Sequence, residues 1–176
     1  MKNMKNKEIA KILIPVLMIC IVVGIWFTQN QVDQEKISTS TDSKFPLNVT
    51  NVDLEQLKEH ELPIIIDFGA DECVPCKEMA PVLVTLNKEM QEKAIIQFVD
   101  VWKVPEAATA FPVQVIPTQI IINADGTPYM PSDEIASTIQ FAMYADRETE
   151  EHIFTAHQGG LTENQMRLIL ADMGVE

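Results

Sequence analysis

The chain has 176 residues, of which 47% are hydrophobic, and it carries a formal charge of −13 at pH 7. This length suits one domain with a sizeable core plus appendages and is short for two domains. The acidic balance disfavours nucleic acid and anionic membrane surfaces as partners.

The first 28 residues are predicted to be a membrane anchor. Four lysines precede an uncharged run of sixteen residues, ILIPVLMICIVVGIWF at 12–27. This run is at the short edge of what crosses a hydrocarbon core of about 30 Å, and Ile9, Ala10 and Thr28 can extend it. A cleavable signal peptide is the alternative, but no pair of small residues marks a cut site after this run. The lysines place the N-terminus in the cytoplasm and the rest of the chain outside it. Lipidation at Cys20 is disfavoured because Ile19 occupies a position that requires a small residue.

Residues 29–44 are polar and lack an apolar period, which predicts a flexible linker before a single domain at 45–176. Four of the 13 basic and one of the 26 acidic side chains precede residue 29, so the remaining part carries a formal charge of about −16. This charge strengthens the case against a nucleic-acid partner.

The domain alternates predicted strands and helices. In chain order, the pattern predicts a short helix at 51–60, a strand at 63–70, a helix at 77–92, a strand at 94–101, a helical turn at 105–111 and a strand at 116–122. The first strand, PIIIDFGA, is apolar enough to be covered on both faces, so Asp67 within it is unexpected. The run NADG at 123–126 is typical of a tight turn, and Pro81 predicts a kink in the long helix.

Residues 131–151 are predicted to be an insertion that begins with a helix and ends in a charged loop. Ser132 fits the N-cap, and one face of the helix collects Ile135, Ile139, Ala142 and Met143. The insertion is expected to cover a sheet edge, to offer a partner surface or simply to be solvated. A last strand at 152–157, a glycine turn and a closing helix at 162–174 complete the prediction.

Two cysteines, Cys73 and Cys76, lie two residues apart in DECVPCKEMAP at 71–81, at the predicted start of the long helix. The helix dipole and free backbone N–H groups stabilise a thiolate there, so we expect Cys73 to be a nucleophile. Cys76, one turn further and more buried, is expected to resolve the mixed disulfide that this attack forms. Pro75 restricts the turn that holds both sulfurs.

Other uses of this pair stay open. A closed zinc site needs four ligands, which the sequence does not supply, and no metal site is predicted. Copper(I) carriage by the two thiolates, with His157 joining them, is the non-enzymatic alternative. A purely structural bridge is disfavoured because so short a loop constrains the unfolded chain little.

The segment DFGADECVPCKEMAP, Pro117 at 41 residues beyond Cys76 and a later Asp-Gly pair resemble the thioredoxin family in order and spacing. The resemblance covers about residues 50–130 and, more loosely, 152–174. It implies an α/β, thioredoxin-like fold, a central mixed sheet flanked by helices, with the insertion before its last strand and the N-terminal anchor. It also implies a thiol–disulfide oxidoreductase that needs no cofactor.

The same resemblance implies a substrate-binding surface around the cysteines. Pro117 would be a cis-proline facing them, and the adjoining Ile116 backbone would pair with an extended substrate peptide. Val74, Pro75 and Gly159 would complete this surface.

The resemblance also explains the odd acid in the first strand. Asp67 would be a buried acid whose raised pKa lets it deprotonate Cys76. The chain departs from the family at Gly69 and Glu72, where tryptophans are usual, and at Phe98, where a lysine normally accompanies the acid.

The residues beside the cysteines suggest a direction of electron flow. Asp71 and Glu72 place two negative charges next to Cys73, which opposes thiolate formation and predicts a reducing pair. A disulfide oxidant is the alternative enzyme, but Val74 and Pro75 offer no cation or donor that would stabilise its reduced form.

With this direction, the chain resembles tethered thioredoxin-like reductases that work outside the cytoplasmic membrane, for example in cytochrome c maturation or in the repair of wrongly paired cysteines. The implied partners are disulfide-containing extracytoplasmic proteins and an integral-membrane thiol carrier that reduces the cysteine pair again after each turnover.

Overall fold

The computed structural model describes residues 43–176. The predicted anchor at 1–28, Cys20 and all but the last two residues of the predicted linker lie outside the described residues. Between residues 43 and 176, no helix is long and apolar enough to cross a membrane.

Helices and strands alternate in the first half of the described chain and end in a hairpin followed by a helix. In chain order they are α1 Leu54–Lys58, β1 Ile64–Gly69, α2 Val74–Glu89, β2 Ile95–Asp100, a short 3₁₀ helix Pro105–Ala108, β3 Thr118–Ile122, α3 Asp133–Thr138, β4 Ala142–Ala145, β5 His152–Gln158 and α4 Glu163–Asp172.

The five strands form one mixed sheet in the order β2-β1-β3-β5-β4. Strands β1 and β2 are parallel, and the other neighbours are antiparallel. The α/β fold with a mixed central sheet, predicted from the sequence, is confirmed. Because β1 ends beside the start of β3, the loop that leads from β1 into α2 lies next to the segment that precedes Thr118.

Burial on both faces of β1 explains its apolar sequence. Ile64 and Ile66 pack into one core cluster, with residues of α1 and the 3₁₀ segment, whereas Ile65 packs into the other cluster, with residues of α2 and α4. All three isoleucines are fully buried, so this strand is covered on both faces as predicted. The same alternation turns Asp67 towards α2.

The long helix α2 begins at Val74, three residues earlier than predicted, so that Cys73 becomes its N-cap. Pro81 lies inside it, and the kink expected there stays a prediction. The closing helix α4 begins with a complete capping box between Thr162 and Gln165, as its sequence predicts.

The prediction of one long helix in residues 131–151 is wrong beyond Thr138. Ser132 caps α3 as expected, but the backbone becomes extended at Ile139, and Ala142 and Met143 belong to β4. Two β-branched residues and then Phe and Tyr disfavour a helix and suit a strand, and β5 satisfies the backbone of β4. The segment therefore supplies the edge strand of the sheet, followed by the predicted charged loop.

Candidate active site

The two cysteines form a disulfide at the N-terminus of α2, with their Cα atoms 5.3 Å apart. Cys73 is half-buried and its side chain caps no backbone N–H of the helix, so after reduction its thiolate lies at the positive end of the helix dipole. Cys76 is only 4% exposed and is packed in the core. A substrate therefore reaches Cys73 before Cys76.

A second segment meets the cysteine loop from the β3 side. The Ile116–Pro117 peptide bond is cis. The Pro117 carbonyl accepts a hydrogen bond of 2.9 Å from the backbone N–H of Gly159, a residue whose φ of +116° favours glycine. The next glycine, Gly160, faces the Pro75 carbonyl: a Cβ added to Gly160 would lie 3.8 Å from the Pro75 carbonyl oxygen, an ordinary van der Waals contact.

The structure thus brings the predicted substrate-binding residues to one end of the sheet. Pro75 and Val74 lie in the first turn of α2, and Ile116, Pro117 and Gly159 lie across from them at the ends of β3 and β5. Val74 is 67% exposed and Ile116 is half-buried, so both residues leave apolar surface accessible at this end of the sheet.

Asp67 lies beneath the disulfide, fully buried between two neighbouring strands. Its register partners are Phe98 on β2 and Gln119 on β3, and Gln119 Nε2 donates a hydrogen bond of 2.5 Å to Asp67 Oδ1. Burial raises the pKa of Asp67 to about 7, although the hydrogen bond from Gln119 acts in the opposite direction. Near neutral pH this carboxyl can therefore both take up and release a proton.

Gly69 creates the space that joins Asp67 to Cys76. A Cβ at this position would lie 3.3 Å from both Asp67 Oδ2 and Cys76 Sγ, and 2.8 Å from the Phe98 ring. The carboxyl oxygen and the sulfur therefore face the same side of Gly69, and any larger residue would collide with the ring. The departure from tryptophan at this position is thus built into the packing of the site.

A cluster that the sequence did not reveal holds the loop before Cys73. Asp100 Oδ2 accepts from the backbone N–H of Asp71 at 3.1 Å, and Asp100 Oδ1 accepts from those of Trp102 and Lys103 at 3.0 and 3.2 Å. Burial acts to raise the pKa of Asp100, but these bonds and the Lys103 ammonium outweigh it and hold the pKa below its usual range.

The same cluster corrects the charge argument made from the sequence. The Lys103 ammonium forms an ion pair with Asp71 and lies 3.3 Å from Asp100 Oδ2. Asp71 is therefore a partnered charge rather than a free one beside Cys73. In the described part of the chain, Glu72 is the acid next to Cys73 for which no salt bridge is found.

Possible metal ligands within residues 43–176 are not grouped into a site. Within residues 43–176, no group of three or more His, Cys, Asp or Glu side chains is arranged to hold a metal ion. His157, considered above as a copper ligand, donates from Nδ1 to the Gln140 carbonyl at 2.8 Å.

Comparison with known proteins places these features in context. The protein-family model named Thioredoxin matches residues 43–142. Thioredoxin of Rickettsia typhi is 33% identical over 77 residues, which cover 43% of this chain and 73% of that protein. Thioredoxin 1 of Chlorobaculum tepidum is 42% identical over 65 residues, covering 37% and 64%, and thioredoxin H4 of Arabidopsis thaliana is 38% identical over 77 residues, covering 44% and 65%. The chain thus spans just under two thirds of the last two relatives.

Proposed function

The chain belongs to the thioredoxin family and is a thiol–disulfide oxidoreductase, and we propose that it reduces disulfide bonds of proteins outside the cytoplasm. The observation that carries the proposal is the pairing of a half-buried Cys73 at a helix N-terminus with a buried Cys76 over a buried acid. Such a pair separates the thiol that meets the substrate from the thiol that completes the exchange.

The proposed reaction has two thiol–disulfide exchanges. The Cys73 thiolate attacks one sulfur of the substrate disulfide, forms a mixed disulfide and releases the other substrate sulfur as a thiolate, which takes up a proton. Asp67 then accepts the proton of the Cys76 thiol, and the Cys76 thiolate attacks Cys73 Sγ and releases the second substrate thiolate. Two electrons pass to the substrate, and the protein is left with the disulfide seen in the structure.

The substrate is proposed to bind as an extended peptide beside the cis-proline. Ile116 lies just before β3, and no backbone hydrogen bond of this residue is found within residues 43–176, so it suits main-chain pairing. The exposed Val74 suits an apolar side chain of the substrate. The formal charge of the chain favours substrates that are neutral or basic around their disulfide.

The proposed location is the outer face of the cytoplasmic membrane. The uncharged run at 12–27, preceded by four lysines, supports a single-pass anchor with a cytoplasmic N-terminus. An oxidised pair outside the cytoplasm needs electrons from inside, so an integral-membrane thiol carrier is proposed to reduce Cys73–Cys76 after each turnover.

The surroundings of Cys73 support the proposed direction of electron transfer, from the cysteine pair to the substrate disulfide. Glu72 is an exposed acid beside it, and neither Val74 nor Pro75 supplies a cation or a side-chain donor to the thiolate. A disulfide is a strong oxidant when its reduced form, the thiolate, is stabilised, and both features disfavour that thiolate. Lys103 weakens this argument at Asp71 but does not remove it at Glu72.

A trapping experiment tests the proposed roles of the two cysteines. In intact cells, Cys76→Ser is expected to accumulate mixed disulfides between Cys73 and other proteins, visible as reducible bands on gels, because the resolving thiol is absent. Both an extracytoplasmic substrate and a membrane protein are expected among them. The matched variant Cys73→Ser keeps one thiol of the pair and should trap neither; bands of equal strength in both variants would refute the assignment of Cys73 as nucleophile.

A further inference from the structure

Gln119 occupies a position that neither the cysteine motif nor the sequence pattern singles out. It lies on β3 directly opposite Asp67, and both side chains are fully buried. Its Nε2 atom donates to Asp67 Oδ1 at 2.5 Å, in contact also with the Met79 sulfur at 3.5 Å. A buried amide aimed at a buried carboxyl is rarely accidental, because each polar group would be costly without the other.

The surroundings of Asp67 leave the amide as its polar partner. Strand β2 presents the Phe98 ring, and helix α2 presents Met79 and the Cys76 sulfur. Among these neighbours in the described chain, the Cys76 thiol is the one titratable group, and no cation faces the carboxyl. The charge state of Asp67 therefore depends on burial and on Gln119.

We infer that Gln119 is a positioning residue for the resolving step, which holds Asp67 so that its free oxygen receives the Cys76 proton. The inference rests on the role proposed above for Asp67. The bond to Oδ1 fixes the plane of the carboxyl and leaves Oδ2 without a hydrogen-bond partner in the described residues. That oxygen is the one that shares the Gly69 space with Cys76 Sγ.

An amide suits this task because it can serve both protonation states. Its N–H can donate to Asp67 Oδ1 when the carboxyl is ionised and also when the proton is on Oδ2, because Oδ1 is an acceptor in both states. A lysine would instead favour the carboxylate alone.

The step that Gln119 supports is a balanced proton transfer followed by an exchange. The Cys76 S–H bond breaks and its proton goes to Asp67 Oδ2, while Gln119 keeps its bond to Oδ1. The Cys76 thiolate then attacks Cys73 Sγ in the mixed disulfide, and the substrate thiolate leaves. Asp67 returns the proton to solvent or to the leaving thiolate, so Gln119 itself is unchanged.

The test measures the rates of the two thiol–disulfide exchanges separately. It uses the full-length chain in mild detergent, with Cys20→Ser so that Cys73 and Cys76 are the only thiols that react. The reduced protein reacts with an aromatic disulfide whose released thiol absorbs light: the first release reports attack by Cys73, and the second reports resolution by Cys76. Both rates are measured from pH 5.5 to 9. The variants are Gln119→Met, which keeps the approximate length of the side chain, and Gln119→Leu, which is used if the first variant does not fold.

Loss of the amide is expected to slow the second release about tenfold at pH 7 and to move its pH midpoint up by about one unit, because the carboxylate loses its donor. The first release should change less than twofold. Phe98→Lys in the Gln119→Met background should move the midpoint down again, because it supplies a donor from the other neighbouring strand. The matched control Gln97→Met removes a buried glutamine of β2 on the opposite sheet face and should leave both phases unchanged.

Two results would overturn the inference, and they differ in meaning. If Asp67→Asn slows the second release but the Gln119 variants do not, the inference about Gln119 fails and the role of Asp67 stands. If neither Asp67→Asn nor the Gln119 variants change the second release or its pH midpoint, the proposed role of Asp67 fails as well.

Discussion

Asp67 is the residue at which the site opposes the stability of the fold. Its pKa is raised from 3.8 to about 7, mainly because burial disfavours the charged form. The native state therefore binds more protons than the unfolded state between these values, and stability falls as pH rises from about 4 to about 7. The proposed role in proton transfer gives a reason for a carboxyl at a position where it lowers the stability of the fold.

Replacement of this carboxyl is expected to stabilise the protein at high pH. A shift of about three pKa units corresponds to about 4 kcal/mol as an upper bound, so oxidised Asp67→Asn should be more stable than the parent by about 2–4 kcal/mol at pH 8. At pH 4 the difference should be small. Urea unfolding at both pH values measures it, with the exposed Asp133→Asn as a control. A variant less stable than the parent at pH 8 would contradict the charge penalty.

The residues of the site differ in how far the sequence could reveal them. The cysteine pair, Asp67 and Pro117 stand out through local pattern and a family resemblance. Gln119 meets Asp67 across 52 residues and Lys103 meets Asp71 across 32, so these contacts depend on strand register and loop packing, which no local pattern encodes. A buried glutamine inside IPTQIII was the one available signal for the first of them.

At the scale of elements, the loop before α2 is held by the end of β2. Asp100 accepts hydrogen bonds from backbone N–H groups of the loop before α2 and of the loop after β2. The Val101 backbone N–H also donates to the Gly69 carbonyl at 2.9 Å. The lowered pKa of Asp100 means that its carboxylate stabilises the native state above about pH 4, and that this contribution is lost as pH falls through its native pKa.

Removal of this carboxylate is expected to loosen the loop. Asp100→Asn should destabilise the protein by about 1–3 kcal/mol at pH 7, because backbone donors lose a charged acceptor, and the difference should shrink below about pH 4. Urea unfolding from pH 2.5 to 7 checks both statements. Asp53→Asn makes the same change at the exposed N-cap of α1, where an amide also caps, and should cost little. Equal effects of the two variants would contradict the role of Asp100 in holding the loop before α2.

The strands show where periodicity succeeds and where it misleads. Three consecutive isoleucines predict β1 because few segments other than a doubly covered strand need them. The edge strand β4 was not predicted from the sequence, because the spacing of Ile135, Ile139, Ala142 and Met143 matches one face of a helix. Pairing with β5 decided the outcome, and that pairing is a long-range property.

At the scale of the whole molecule, the proposal joins an oxidisable pair to a supply of electrons. The pair lies at one end of the sheet, and the sequence before residue 29 has the charge pattern expected of an anchor with a cytoplasmic N-terminus. A tethered reductase of this kind works only if its disulfide is harder to reduce than that of its substrates and easier to reduce than that of its electron donor.

The redox potential of the Cys73–Cys76 pair tests this central claim most directly. The full-length chain with Cys20→Ser would be equilibrated in mild detergent against a series of dithiothreitol or glutathione buffers, and the reduced fraction would be read by thiol alkylation. A reductase is expected to lie near or below about −270 mV, the value of thioredoxin itself. A potential near about −120 mV, that of a strong periplasmic oxidant, would contradict the account and make the protein a disulfide donor.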